Sequence, residues 1–103
     1  MKEGGLQQSR IAILGTGREG RAAACHLREL HPGIALTFVD EHQPGAEFVQ
    51  SLGSADRLLT GPLAEAGLES FDLLIRSPGI SPYRQSIRDA RAAGARVTTA
   101  SSL

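Results

Sequence analysis

Short apolar runs alternate with helical patterns along this chain of 103 residues, and the alternation limits it to few architectures. Strands are predicted at residues 10–14, 35–39, 57–59, 71–75 and 96–99. Helices are predicted at residues 18–30, 46–52 and 83–93, with a helical turn at 62–66. Strand, helix and strand in succession require parallel pairing through right-handed crossovers. The sequence therefore predicts one α/β domain, a three-layer open parallel sheet of about five strands.

The first and last helices each carry one apolar stripe. In the first, Ala23, Leu27 and Leu30 recur at helical spacing, and Arg21 and Arg28 fall on the opposite side, toward solvent. The last helix is predicted to turn Ile87, Ala90 and Ala93 inward and Arg84, Arg88 and Arg91 outward, with Gly94 as its cap.

The expected topology singles out two loops. In open parallel sheets, ligands bind outside the carboxyl ends of the strands, at the point where the strand order reverses. For the Rossmann-like order 3-2-1-4-5, that point lies between the first and fourth strands. The loops that meet there begin at Gly15 and Ser77.

The first of these loops is a GxGxxG motif that follows a strand and opens a helix. Gly15 permits a tight turn, Gly17 lets the backbone approach a diphosphate, and Gly20 lets helix and strand pack closely. Exposed amides and the helix dipole then favour an anion. The alternative is a glycine turn needed only for packing. The candidate residues are Gly15, Thr16, Gly17, Arg18, Glu19 and Gly20.

Asp40 closes the second strand, twenty residues beyond Gly20. A carboxylate there can accept hydrogen bonds from a ribose or a base, or it can simply cap its own loop. Glu41 and His42 follow on the same rim, and His42 is expected to be solvated rather than catalytic.

The second loop, SPGISP at residues 77–82, combines two prolines and a glycine. These residues fix the backbone without adding a reactive group, so the segment is suited to shaping a surface. Ser77 and the amide of Gly79 could donate to the phosphates held by the first loop. The alternative is an ordinary loop, with Ser81 or Pro82 as the cap of the next helix. Periodicity leaves open whether Arg76 points into the crevice or away from it.

Composition excludes several functional classes. Eleven basic and eleven acidic residues cancel, and aromatic residues make up 4%, which argues against nucleic-acid binding. The single cysteine, Cys25, allows no internal disulfide and suggests no zinc site. No apolar run approaches the ~20 residues of a membrane span. The only lysine is Lys2, so the sequence contains no P-loop. With a single cysteine, the expected location is a reducing cytoplasm.

The GxGxxG motif, the aspartate that closes the second strand and the SPGIS segment together resemble the N-terminal domain of the Mur ligases, most closely of those that add glutamate to UDP-N-acetylmuramoyl-L-alanine. The resemblance runs from about residue 10 to residue 99. It implies that residues 15–20 and the turn Ser77-Pro78-Gly79 hold the diphosphate of UDP. It further implies that Asp40 and Glu41 contact the uracil.

Two residues depart from the family pattern, which usually has small hydroxyl residues at the positions of Glu19 and Glu41. A carboxylate beside a diphosphate is repulsive. Either Glu19 turns outward as a favourable first-turn acid, or this chain holds the phosphates differently. Arg18 and Arg76 are candidates to offset the charge.

The resemblance implies a ligase whose catalytic machinery lies elsewhere. ATP and Mg would bind a central domain, and this chain is expected to hold no catalytic residue and no metal and to be inactive alone. Residues 1–9 are expected to be a flexible N-terminus and residues 100–103 the start of a linker. The expected partners are UDP-N-acetylmuramoyl-L-alanine and the ligase's own central and C-terminal domains, with no nucleic acid or membrane, and a monomer is expected.

Two other classes remain open from the residues alone. GxGxxG with Asp40 would also serve an NAD(P)-binding domain of an oxidoreductase or a regulatory NAD sensor, which leaves SPGIS unexplained. An interaction domain could use the stripe of Arg84, Arg88 and Arg91, which is otherwise a solvated helix face.

Overall fold

A computed structural model describes residues 10–99, and the expectations for residues 1–9 and 100–103 lie outside the described residues. Five parallel strands form one sheet in the order β3-β2-β1-β4-β5, which confirms the predicted topology. The strands are β1 (Ile11–Leu14), β2 (Thr37–Asp40), β3 (Arg57–Thr60), β4 (Leu73–Arg76) and β5 (Arg96–Thr99). The helices are α1 (Arg18–Leu30), α2 (Ala46–Gln50) and α3 (Gln85–Ala92), and two short 3-10 turns cover Leu63–Glu65 and Leu68–Ser70.

The sheet separates two apolar layers, and alternate residues of β1 enter opposite ones. Ile11 and Ile13 pack with α1, α2 and Phe38, whereas Ala12 and Leu14 pack with α3 and the 3-10 turns. Because β1 is central and covered on both faces, all four of its residues are buried.

Helix α1 follows the predicted bounds but buries a different stripe. The buried residues are Gly20, Ala23, Ala24 and Leu27, and the prediction that Leu30 joins them is wrong, since Leu30 is 59% exposed. Thirteen helical residues span about 20 Å, whereas a four-residue strand spans about 13 Å. The last turn of α1 therefore extends past the sheet that the periodicity assumed to lie beneath it.

Other element ends also differ from the predictions. The second strand begins at Thr37, because Ala35 is exposed and outside the sheet. Helix α3 begins at Gln85 with Arg84 as its N-cap, so neither Ser81 nor Pro82 caps it, and the Ser81 hydroxyl instead accepts a hydrogen bond from the Tyr83 amide at 3.1 Å. Ala93 follows the end of α3 and is exposed, contrary to the inward placement predicted for it.

A buried carboxylate joins α1 to the loop before β3. Asp56 forms an ion pair with Arg28, and its oxygens accept hydrogen bonds from the amides of Gly53 at 2.8 Å and Leu36 at 3.4 Å. The Asp56 side chain is 4% exposed and that of Arg28 is 40% exposed, so Arg28 is only half outward. Within residues 10–99, no helix is long and apolar enough to cross a membrane.

Replacing Gly20 with alanine is expected to lower the free energy of unfolding by about 1–3 kcal/mol, because the added methyl would overlap the backbone oxygen of Gly15. Gly17→Ala is the matched control, since no heavy atom lies within 4 Å of a Cβ at Gly17. Urea unfolding of the three proteins measures the difference. Equal stability of the two variants would contradict the close approach of α1 to the glycine loop.

Asp56→Ala is expected to destabilise the domain more than Arg28→Ala. The first variant removes the acceptor of two backbone amides, of which only that of Leu36 lies in a partly buried setting, where the loss costs about 1–3 kcal/mol; the second removes one half-exposed partner. Thermal unfolding of both variants checks the order, and a larger loss in Arg28→Ala would show that the ion pair dominates.

Candidate functional site

A cleft of about 310 Å³ opens at the carboxyl ends of β1, β2 and β4, where the strand order reverses. It brings together the two loops that the topology singled out. Its lining residues are Gly15, Thr16, Gly17, Val39, Asp40, Glu41, His42, Leu63, Ser77, Gly79 and Ile80. The cleft thus combines backbone-rich loops, two carboxylates and a small apolar floor.

The glycine loop and the serine loop touch at the base of this cleft. Gly15 has a φ of +107°, a conformation that side-chain-bearing residues rarely adopt. Its amide donates to the carbonyl of Val39 at 2.7 Å, which ties the start of the loop to β2. A Cβ at Gly15 would lie 3.2 Å from the Ser77 hydroxyl oxygen, a tight approach that shows how near the two loops are to each other.

Asp40 holds the glycine loop in place. One oxygen, Oδ2, accepts hydrogen bonds from the Thr16 amide at 2.9 Å and the Thr16 hydroxyl at 2.7 Å, and Oδ1 accepts from the His42 amide at 3.0 Å. Partial burial raises the pKa of Asp40, but the hydrogen bonds from His42 and Thr16 outweigh it and hold the pKa below its ordinary value. Asp40 is therefore a charged acceptor that caps its own loop and also anchors Thr16.

Arg21 holds the same loop from the other side. Its Nε donates to the Thr16 carbonyl oxygen at 3.1 Å, and its guanidinium carbon lies 5.4 Å from the centroid of the Phe48 ring. The Phe48 ring in turn packs edge-on against Phe38, with the centroids 5.0 Å apart. Arg21 is exposed, as helical periodicity predicts, but its bond to Thr16 was not predicted, because a bond to a loop carbonyl leaves no trace in an apolar pattern.

The serine loop is a turn closed by its own backbone and by Arg76. The amide of Ile80 donates to the Ser77 carbonyl at 3.0 Å, and Nη1 of Arg76 donates to the Ile80 carbonyl at 3.1 Å. The Ser77 amide donates to the Leu14 carbonyl at 3.3 Å, which joins the turn to β1. The structure thus turns Arg76 toward the turn that follows it, and Arg76 is not among the residues that line the cleft.

Glu41, which follows β2, forms an ion pair with Arg84, the residue that precedes α3. Nη2 of Arg84 lies 2.7 Å from Oε2 of Glu41, and each side chain is about two-fifths exposed. The hydrogen bond from Arg84 lowers the pKa of Glu41, and the same bond raises the pKa of Arg84. Sequence reasoning assigned Arg84 only to an outward stripe, and 43 residues separate the two partners.

The predicted site residues divide into two groups. Seven of them line the cleft: Gly15, Thr16, Gly17, Asp40, Glu41, Ser77 and Gly79. Four do not: Arg18, Glu19 and Pro78, which are exposed, and Gly20, which is buried under the loop. Glu19 lies in the first turn of α1, where an acid is favourable to the helix dipole.

The start of α1 brings backbone amides close to this cleft. The first amides of an α-helix have no partner within the helix, and α1 begins directly after Gly17. The N-cap Gly17 has no side-chain capping bond, so no side chain covers these donors there. Among the described residues, no group of three or more histidine, cysteine, aspartate or glutamate side chains could hold a metal ion.

Comparison with known proteins shows which family this sequence matches. The family model described as Mur ligase MurD-like, N-terminal domain, matches residues 9–99. The UDP-N-acetylmuramoyl-L-alanine--L-glutamate ligase of Xanthomonas campestris pv. campestris (strain 8004) is 38% identical over 91 residues, which are 88% of this chain and 19% of that protein. The protein of the same name from Xylella fastidiosa (strain Temecula1 / ATCC 700964) is 37% identical over 95 residues, 92% of this chain and 20% of that protein.

A relative with a different name also matches. The UDP-N-acetylmuramoylalanine--D-glutamate ligase of Exiguobacterium sibiricum is 34% identical over 85 residues, 82% of this chain and 18% of that protein. The chain spans about a fifth of the length of these curated relatives. Since the family model covers nearly all of it, the chain belongs to the Mur ligase family, as a MurD-like N-terminal domain.

Proposed function

We propose that this domain binds the UDP end of UDP-N-acetylmuramoyl-L-alanine, for a ligase that adds glutamate to that substrate in bacterial peptidoglycan synthesis. The observation that carries the proposal is the meeting of the glycine loop and the Ser77–Gly79 turn in one cleft at the switch point of the sheet. Each loop supplies hydrogen-bond donors, and an anion with two phosphates fits between two such loops.

The diphosphate is proposed to lie on the backbone of the glycine loop. Gly17 lines the cleft with no side chain in the way, and the first-turn amides of α1 follow it. The Ser77 hydroxyl, in contact with Gly15, would donate from the opposite wall. Because Arg18 and Glu19 are exposed and outside the cleft, neither is assigned a direct phosphate contact.

The nucleoside is proposed to lie toward Asp40 and Glu41. Three hydrogen bonds occupy the Asp40 carboxylate, which leaves one of its roughly four lone-pair positions for the N–H of a base or the hydroxyl of a ribose. Arg84 keeps Glu41 ionised and restrains it, so Glu41 would also accept rather than donate. The same guanidinium offsets the acidic charge that Glu41 brings near a diphosphate.

The role proposed for the domain in ligation is positional. Anchoring the UDP end would hold the distant lactoyl-alanine carboxylate where it is activated as an acyl phosphate, a step that needs ATP and Mg. We assign that step to other parts of the ligase, since the sequence has no P-loop lysine and residues 10–99 contain no cluster of possible metal ligands. Holding a reactant in place contributes through orientation entropy, without acid or base chemistry from this domain.

The relatives' names are consistent with this division of labour. Ligases named for L-glutamate and for D-glutamate both match this domain, and the UDP-N-acetylmuramoylalanine part of the name is common to both. We therefore assign the domain to the shared substrate rather than to the choice of glutamate. A cytoplasmic monomer, in contact with the ligase's own central and C-terminal domains, is part of the same proposal.

Calorimetric titration is expected to show binding of UDP and of UDP-N-acetylmuramoyl-L-alanine in preference to NAD. Gly17→Ala should weaken UDP binding about tenfold, a cost of about 1.4 kcal/mol, because its methyl group would occupy the cleft that the diphosphate needs. Gly45→Ala, which also adds a methyl in open space but outside the lining of the cleft, should leave the affinity unchanged. Preference for NAD, or no binding of UDP, would refute the proposed function.

The 103-residue chain alone is expected to release no phosphate from ATP in the presence of glutamate and UDP-N-acetylmuramoyl-L-alanine, because it has no P-loop. The Xanthomonas campestris ligase named above provides the positive control. Turnover above the protein-free rate would show that this chain carries catalytic groups of its own.

A further inference from the structure

We propose that Arg21 is a positioning residue of the diphosphate site. It fixes the Thr16–Gly17 peptide so that the loop presents the N–H of Gly17, and not the carbonyl oxygen of Thr16, to the anion. This inference rests on the proposed function and names a residue that neither the sequence motif nor the cleft lining identifies.

Thr16 is held on every polar atom it has. Asp40 accepts from its amide at 2.9 Å and its hydroxyl at 2.7 Å, and Nε of Arg21 donates to its carbonyl oxygen at 3.1 Å. Thr16 is 7% exposed, so these bonds lie in a partly desolvated setting. Of the three, only the bond from Arg21 acts on the peptide that joins Thr16 to Gly17.

In a trans peptide, the direction of the Thr16 carbonyl determines the direction of the Gly17 N–H. The carbonyl of one residue and the N–H of the next lie in one plane and point in opposite directions. No peptide bond in the described part of the chain is cis, and Gly17 lines the cleft whereas Arg21 does not. A carbonyl of Thr16 drawn toward Arg21 therefore leaves the N–H of Gly17 to face the other way, toward the cleft.

This peptide needs such a restraint because its second residue is glycine. A peptide flips by changing ψ of the first residue and φ of the second, and glycine accepts either sign of φ with little cost. Gly17 has a φ of −79°, and no heavy atom lies within 4 Å of a Cβ position there, so no side-chain contact holds Gly17 itself in this conformation. A flipped peptide would turn an oxygen with partial negative charge toward the phosphates.

Arg21 is exposed to solvent on one side and contacts the ring of Phe48 on the other, with the ring centroid 5.4 Å from the guanidinium carbon. The attraction between a guanidinium and an aromatic face favours this position of the Arg21 side chain, from which Nε–H donates to the Thr16 carbonyl. Because Phe48 packs edge-on against Phe38 in the core, the restraint on Thr16 is anchored to the sheet through α2.

The test compares UDP binding by wild type, Arg21→Met and Arg10→Met. The expected loss in Arg21→Met is about tenfold, the effect of one hydrogen bond to a charged group. Arg10→Met is the matched control, because Arg10 also lies over a ring, that of Phe71, at 4.8 Å, but at the far end of β1. Arg21→Lys, which can still donate to the carbonyl, should recover part of the affinity.

A merely structural role is distinguished by two further measurements. The affinity for uridine, which has no phosphate, should not change in Arg21→Met, and the Gly17 amide resonance should differ from wild type before any ligand is added. Wild-type affinity for UDP in Arg21→Met would overturn this inference and leave the proposed function intact. Failure of the wild-type protein to bind UDP would instead refute the proposed function.

A measurement on the wild type decides the question should Arg21→Met fail to fold. The Nε–H of Arg21 should exchange with water more slowly than that of Arg10, and the addition of UDP should shift the Gly17 amide resonance while this protection persists. Equally fast exchange of the two arginines would overturn the inference.

Discussion

The pairing of β1 with β2 along one side and β4 along the other sets the geometry of the whole cleft. Leu14 of β1 lies beside Val39 of β2 and beside Arg76 of β4, so the carboxyl ends of these three strands lie at the same level. The loops that leave these ends have little freedom, since Gly15 bonds to β2 and Ser77 to β1 within one residue of each strand. The site is thus a direct product of strand order, and its residues come from widely separated parts of the sequence.

Three arginines around this cleft donate hydrogen bonds to oxygen atoms of the protein. Arg21 bonds to the Thr16 carbonyl, Arg76 to the Ile80 carbonyl and Arg84 to the Glu41 carboxylate. Arg21 links α1 to the glycine loop, Arg76 closes the serine loop, and Arg84 links the start of α3 to the loop after β2. Since these guanidinium groups already have partners in the protein, we propose that the charge of a bound diphosphate is met chiefly by backbone amides.

The sequence predicted the strand order and the meeting of the two loops, because periodicity of buried strands and crossover handedness are properties of local pattern. It failed where the outcome depended on the relative lengths of elements, as for the exposed Leu30, which is in the last turn of a helix longer than the four-residue strands. Arg21 is exposed as predicted, but the partners of Arg21 and Arg84 were missed, because bonds from a guanidinium to a loop carbonyl or a distant carboxylate depend on three-dimensional positions. Asp40 was expected either to cap its own loop or to accept hydrogen bonds from a ligand. Its carboxylate accepts from the amides of Thr16 and His42 and from the Thr16 hydroxyl, and has capacity for one further donor.

The restraint of Thr16 on its amide, hydroxyl and carbonyl has a thermodynamic consequence for any ligand of the loop. The conformational entropy of the glycine loop is lost when the domain folds, so little of that loss remains for the binding step. Such preorganisation favours a fixed shape over adaptation. A ligand that fits the loop gains from its rigidity, and a ligand of a different shape cannot be accommodated by a local adjustment, because the loop is tied at once to β2, α1 and α2.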